Sequence, residues 1–374
     1  MNQITSLRNG TVVNRFYGKE ENGVLYLPVS GIADEDAFVT VNGVAADRSG
    51  AVFSAVVPVS EKFTEITMTA ENSCGRMTHS VKVVFDRDSF PRYNFFIDDN
   101  SFFWTDIIRN KPRSLFDHFY LEFLESMHRK YGTKFTLNLF YRNDHEFCEL
   151  KDFPESYKGE FSDNADWLRM SWHAYSEFPD RPYQNAAAEK VASDYDLIKS
   201  EVCRFAGEQS FIPPVAAHWS MIRPDGMAEL VKRGVKVMTS QFINPKTSLE
   251  EAQRSSHLCD IGFFQNLRES LYLSQKHLLY DFNAAILYLR GTLICNYWTP
   301  ERIIDIINST AGNAALRHEI LSLETHEQYT FPNYFNYLPD HMERMETAIR
   351  RATELGYEPV WFAEGLLGND SWGK

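Results

Sequence analysis

The chain has 374 residues, 44% of them hydrophobic and 24% charged, which indicates a globular protein of two or three domains and excludes a disordered chain. Lysine and arginine number 38 against 51 aspartates and glutamates, and the formal charge of −13 argues against nucleic acid or an anionic membrane surface as a partner. The five cysteines are scattered with no CxxC spacing, so neither a disulfide framework nor a zinc ribbon is indicated. Residues 1–19 hold no apolar signal-peptide core, and no apolar run is long enough to span a bilayer, so a cytoplasmic location is expected.

Residues 1–88 read as all-β. Strands are predicted over 24–29, 39–41, 52–59, 66–70 and 79–85, with Asn42-Gly43 as a two-residue hairpin turn. Turn signals recur at short intervals and no helical period appears, which predicts a small β-sandwich. The runs Val39-Thr40-Val41-Asn42-Gly43, Gly50 to Phe53, Ile66-Thr67-Met68-Thr69-Ala70 and Val81-Lys82-Val83-Val84 resemble bacterial immunoglobulin-like modules attached to carbohydrate enzymes.

From residue 89 the pattern changes. Strands are predicted over 93–97, 135–141, 168–175, 215–219, 235–239, 286–289, 293–297, 320–323 and 360–363. Helices are predicted over 114–130, 186–206, 226–233 and 339–355, with another starting at Pro300. The alternation argues for a parallel sheet with crossover helices, closed or nearly closed into a barrel. Residues 241–285 fit this pattern least and read as an insertion over the barrel mouth. Residues 1–88 hold seven aromatics and no Trp, so the aromatic wealth belongs to the second region.

In such barrels chemistry collects at the C-terminal strand ends. The first strand ends in Asp98-Asp99, the third in Trp172-His173, the fourth in His218-Trp219, and the last but one in Glu324-Thr325-His326-Glu327. Three of the 11 histidines therefore fall on strand ends. Asp and His converging from separate strands suit a divalent metal with nitrogen and oxygen ligands.

Asp98-Asp99, His173 and His326 resemble the pattern of the NodB-homology polysaccharide deacetylases, carbohydrate esterase family four, over roughly residues 90–365. The resemblance implies a distorted (β/α)7 barrel over 89–374, behind the sandwich of 1–88. It implies Asp98 as general base, Asp99 and His173 as metal ligands and His326 as general acid. It further implies a divalent ion, expected to be zinc, and a carbohydrate or other small acetylated substrate. The family places a second histidine four residues after the first, where this chain has Glu177. Either Glu177 or His218 is left to complete the shell. The family's Arg-Pro-x-x-Gly element is not matched in place, since Arg223-Pro224-Asp225-Gly226 follows the fourth strand end.

Trp219, Tyr175, Arg142 and Glu327 are candidate substrate contacts. The plainer alternatives are a core lid for Trp219, an Arg142–Asp144 pair, and a hydrogen-bonded core role for His218. His341 and Arg344 have the spacing of a solvated helix face. His257, His277 and His318 have no partner spacing. A glycoside hydrolase, pairing Asp98 or Asp99 with Glu324 or Glu327, is the first rival reading. A carbohydrate-binding barrel without catalysis is the second.

Overall fold

A computed structural model describes residues 2–240 and 267–372. The predicted insertion at 241–285 therefore falls largely outside the described residues, as do His257 and Cys259.

The N-terminal region forms two five-stranded sheets. One comprises β1 (Gln3–Ile4), β3 (Lys19–Glu21), β4 (Val24–Ile32), β7 (Asp47–Ser49) and β8 (Val52–Val59). The other comprises β2 (Thr11–Val13), β5 (Phe38–Val41), β6 (Val44–Ala45), β9 (Phe63–Asn72) and β10 (Gly75–Phe85). Alternate residues point to opposite faces of a strand, so Leu25, Leu27 and Val29 of β4 and Phe53, Val57 and Val59 of β8 all turn inward. They meet Val39, Val41, Ile66, Met68, Val81, Val83 and Phe85 of the second sheet in one apolar cluster. The Asn42-Gly43 turn forms as expected, with both residues at positive φ, but it returns into the short β6 and not into β8. β2 pairs parallel to β10, a long-range pairing with no local signal.

The second region is built on β11 (Arg92–Asn100), buried at all nine positions. Parallel neighbours β12 (Phe135–Phe140), β15 (Leu168–Ala174), β19 (Leu293–Ile294) and β20 (Ile320–His326) give the order β15-β12-β11-β20-β19, with β21 (Glu358–Pro359) also on β11. A hairpin joins β13 (Arg142–Asn143) to β14 (Cys148–Glu149). A separate sheet holds β16 (Val237–Ser240), β17 (Leu278–Asp281) and β18 (Ile286–Arg290). The result is a set of mixed sheets with helices, an α/β fold in more than one layer.

The expected closure is not a continuous ladder among the described residues. Single hydrogen bonds link the pieces, Ile212 N to Met170 O at 3.0 Å and Thr239 N to Val215 O at 2.6 Å, while Gly291 N to Ser240 O at 2.9 Å and Thr292 N to Ser322 O at 2.8 Å extend the β16–β18 and β19–β20 pairs. The segment expected as a strand at 215–219 is extended and then turns through His218–Ser220. The strand expected at 360–363 lies earlier, as β21.

Helices α1 (Phe102–Asn110), α2 (Phe119–Tyr131), α3 (Lys158–Asp163), α4 (Ala188–Phe205), α5 (Pro224–Lys232), α6 (Leu267–Lys276), α7 (Pro300–Ala311) and α8 (His341–Glu354) occupy the crossovers. The helix expected from residue 114 is broken at His118. Ser114 and Asp117 form a reciprocal capping box that closes the short turn Leu115–Asp117 before α2 begins. His341, expected in solvent, is 1% exposed, because Thr325 and Thr330 hydroxyls hold both ring nitrogens at 2.6 Å. No described helix is long and apolar enough to cross a membrane.

The two regions meet through buried polar contacts. Arg92 Nη2 donates to both Asp86 carboxylate oxygens at 2.9 and 3.0 Å, and its Nε donates to Leu367 O. Gly10 (φ +86°) donates to Lys82 O and accepts from Tyr280 N. A Cβ there would lie 2.1 Å from Tyr280 O, so only glycine allows this approach.

Candidate functional site

Local irregularities place the polar residues at the strand ends. Adjacent residues of a regular strand point to opposite faces. Asp98 and Asp99 nevertheless line the same cavity. The β11–β12 register slips between Ile97 and Asn100, and Asp99 has φ +61°. The β12–β15 register slips as well, so that Leu139 faces Trp172, Phe140 faces Ala174, and His173 falls in the bulge. Beyond His218, Trp219 and Ser220 both adopt positive φ. Bulges and left-handed non-glycine residues cost free energy and recur where a side chain must be aimed.

The three donors so aimed form a compact triangle. His173 Nε2 lies 3.1 Å from Asp99 Oδ1, His218 Nδ1 lies 3.2 Å from the same oxygen, and the two imidazole nitrogens are 3.1 Å apart. His218 Nε2 donates to Glu177 O at 3.1 Å. In the neutral ring that bond leaves a lone pair on Nδ1, directed into the triangle. Burial would raise the Asp99 carboxyl, but the His173 and His218 contacts hold it well below the usual range. Burial acts to lower His173, and the neighbouring Asp98 and Asp99 carboxylates outweigh it, leaving a net rise.

These residues fit a divalent cation. Ligands on a shell of about 2.0–2.2 Å lie about 3–3.5 Å apart, the spacing seen between the three donors. Two imidazoles and one carboxylate are also the donor types such ions take. Asp99, His173 and His218 form one group able to hold an ion, and Asp98, Glu324 and His326 form a looser one with donor atoms within 4.8 Å.

Asp98 and His326 end adjacent strands in direct register. Asn138 Nδ2 donates to Asp98 Oδ1 at 2.6 Å. His326 Nδ1 bonds Asn296 Oδ1 at 3.0 Å, which leaves Nε2 as its other ring nitrogen. The cavity has a volume of about 250 Å³, and its wall includes Asp98, Asp99, His173, His218, His326, Trp219, Tyr297, Tyr329 and Tyr334.

The remaining expected residues are placed differently. Glu177 lines the cavity, but outside the donor triangle. Its carboxylate accepts from Gln328 Nε2 at 2.8 Å and pairs with His145, which it pushes above the usual histidine range. Glu327 is fully buried and is not in the cavity wall. Its carboxylate accepts from the amides of Ser101, Phe102 and Phe103 at 2.7–2.8 Å. Those amides are the free donors of the α1 N-terminus, where the Ser101 side chain makes no cap. Arg142 donates to Asp144 at 2.7 Å and stands 5.6 Å from the Tyr175 ring centre, and neither Arg142 nor Tyr175 lines the cavity. Asn138 and Asn296 escaped the sequence reading. For Asn138 a signal existed, a lone amide inside the apolar run Phe135–Phe140.

No family model and no curated protein matches the chain. Among solved structures, it is similar to a family 4 acetyl xylan esterase from Clostridium thermocellum in complex with a cobalt ion, at 10% identity and TM-score 0.33, over 72% of this chain and 86% of that one. A Bacteroides fragilis protein assigned as an alpha-galactosidase is similar at 12% identity and TM-score 0.30, over 89% of this chain and 75% of that one. With likenesses this distant, a functional reading has to rest on the geometry of the site.

Proposed function

We propose that the chain is a metal-dependent hydrolase that removes acetyl groups from an amino sugar or polysaccharide. The observation that carries this reading is the triangle of Asp99, His173 and His218 donors at 3.1–3.2 Å, with Asp98 and His326 on the same cavity wall. A divalent cation held by those three residues, zinc by donor type, would polarise an acetamide carbonyl and acidify water. In this assignment His218 takes the third position and Glu177 fixes the His218 ring through its backbone carbonyl.

The chain's own groups supply the proton transfers. Asp98, oriented by Asn138, accepts a proton from the attacking water. His326, oriented by Asn296, gives a proton to the nitrogen as the C–N bond breaks, so acetate and an amine leave. Trp219 and Tyr297 offer ring faces to a sugar at the cavity wall. The glycosidase alternative finds less support, because Glu327 is turned onto the α1 amides outside the cavity wall and Asp99 is engaged by two imidazoles.

We also read residues 1–88 as an immunoglobulin-like module and 89–374 as a distorted (β/α)7 barrel in the NodB-homology manner. Carbohydrate, and not nucleic acid or membrane, is the proposed partner. The test is acetate release from N-acetylated chito-oligosaccharides by protein of known metal content. Loss of release on chelation and recovery on adding metal are expected. Reducing ends without acetate would instead favour a glycosidase, and binding without either product would favour a non-catalytic carbohydrate binder.

A further inference from the structure

His218 is the third proposed ligand, and one carbonyl sets its ring. Its Nε2 donates to Glu177 O at 3.1 Å, and this turns Nδ1 toward Asp99 and His173. A ligand ring aimed in this way is only as well placed as the peptide that accepts from it. The Glu177 peptide lies in the loop between β15 and α4, outside both elements. Its position is therefore fixed by contacts from elsewhere in the chain.

The β13–β14 hairpin and the turn after β20 supply those contacts. Arg142 N donates to Tyr175 O at 2.9 Å and Phe178 N donates to Asp144 Oδ2 at 3.0 Å, so the hairpin grips the loop on both sides of Glu177. Ser176 Oγ donates to Phe178 O at 2.9 Å and closes the loop on itself. His145 Nε2 and Gln328 Nε2 both hold one oxygen of the Glu177 carboxylate, the second at 2.8 Å. Gln328 is buried and follows Glu327, whose carboxylate is locked onto the α1 amides. His145 N donates to Asn143 Oδ1 at 2.9 Å, and its ring lies among Phe102, Tyr334 and Phe178, with centres 5.4, 5.7 and 6.2 Å away. Both grips are thus rigidly mounted. The Glu177 carboxylate stays on His145 and Gln328, outside the donor triangle, while its carbonyl faces His218.

We infer that His145 and Gln328 are positioning residues for the metal. By clamping the Glu177 carboxylate they hold its carbonyl where His218 is aimed, and so they set the affinity of the Asp99–His173–His218 site for a divalent cation. The inference rests on the metal reading of that triangle, and on neither the substrate nor the reaction. The hydrogen-bonding edge of the His145 ring, and not its bulk, carries the effect.

The test is titration of the metal-free full chain with zinc, against a chromophoric chelator as competitor and without substrate. His145→Phe keeps a ring among the aromatic neighbours but removes the donor, and is expected to weaken zinc binding about tenfold or more. His145→Gln returns a nitrogen donor without the ring, and should bring the affinity back to within about threefold of the unaltered chain. Gln328→Leu removes the second grip and should also cost about tenfold. If Gln328→Leu does not fold, the two His145 variants decide. Unchanged affinity in His145→Phe, or equal weakening in His145→Phe and His145→Gln, would overturn the inference. His218→Ala is measured alongside and should abolish binding. Zinc held as tightly by His218→Ala as by the unaltered chain sinks the metal reading of the triangle. Zinc lost from His218→Ala but kept by His145→Phe sinks this inference alone.

Discussion

Strands β8 and β11 solve burial in opposite ways. β8 alternates, with Phe53, Ala55, Val57 and Val59 inside and Val52, Ser54, Val56 and Pro58 outside. β11 is covered on both faces, and its C-terminal residues Asp98, Asp99 and Asn100 are buried despite being polar. On β8 a polar residue simply faces water. On β11 each buried polar group needs a partner, and at its end those partners form the candidate site. The contrast separates residues kept for stability from residues kept for chemistry.

The largest expected effect breaks the chemical side of the contrast. His218→Ala should empty the metal site and cut acetate release by about 10³-fold or more, whereas Glu177→Gln, which keeps the backbone carbonyl, should cost about tenfold. Metal content and acetate assays on the two variants decide between the residues. Next comes the joint between the regions. Asp86→Ala leaves Arg92 buried without its carboxylate partner, and a loss of about 3–5 kcal/mol is expected in urea denaturation. In the N-terminal core, Leu27→Ala should cost about 3 kcal/mol, since Leu27 is fully buried.

Acid should strain the second region first. Burial, with Arg92 adding to it, pushes His318 down to about 3. Burial, with His326 and Arg344 adding, pushes His341 down to about 3. Both folded values lie below the unfolded value, so their unfavourable effect is absent above about pH 6.5 and grows as pH falls toward 3. At pH 5 each should cost about 2 kcal/mol. Tryptophan fluorescence reads this directly, because residues 1–88 contain no Trp. A melting temperature independent of pH between 7 and 5 would contradict it. The smallest effect belongs to the outer face of β8, where Val56→Thr should change stability by about 0.5 kcal/mol or less.

Much of this contrast is legible in the sequence. Period-two alternation marks β5 and β9, and an apolar run ending in two aspartates marks β11. Asp98, Asp99, His173, His218, Trp219 and His326 were read as strand-end residues and share one cavity wall. The failures have a common cause. Glu327 looked like a cavity residue because it follows His326, yet its carboxylate turns to amides 224–226 residues earlier in the chain. His341 looked solvated because it lies three residues before Arg344, yet two threonines enclose it. Neither outcome follows from local spacing.

Sequence alone determined the all-β start, the α/β remainder and the residue types gathered at the strand ends. These follow from local periodicity and from the need to bury apolar side chains. Only the tertiary structure decided which donors meet. Two register slips and a left-handed turn aim Asp99, His173 and His218 at one point and leave Glu177 holding His145. A one-residue slip reverses where a strand side chain points, and it depends on the neighbouring strand, so no pattern within a single segment encodes it.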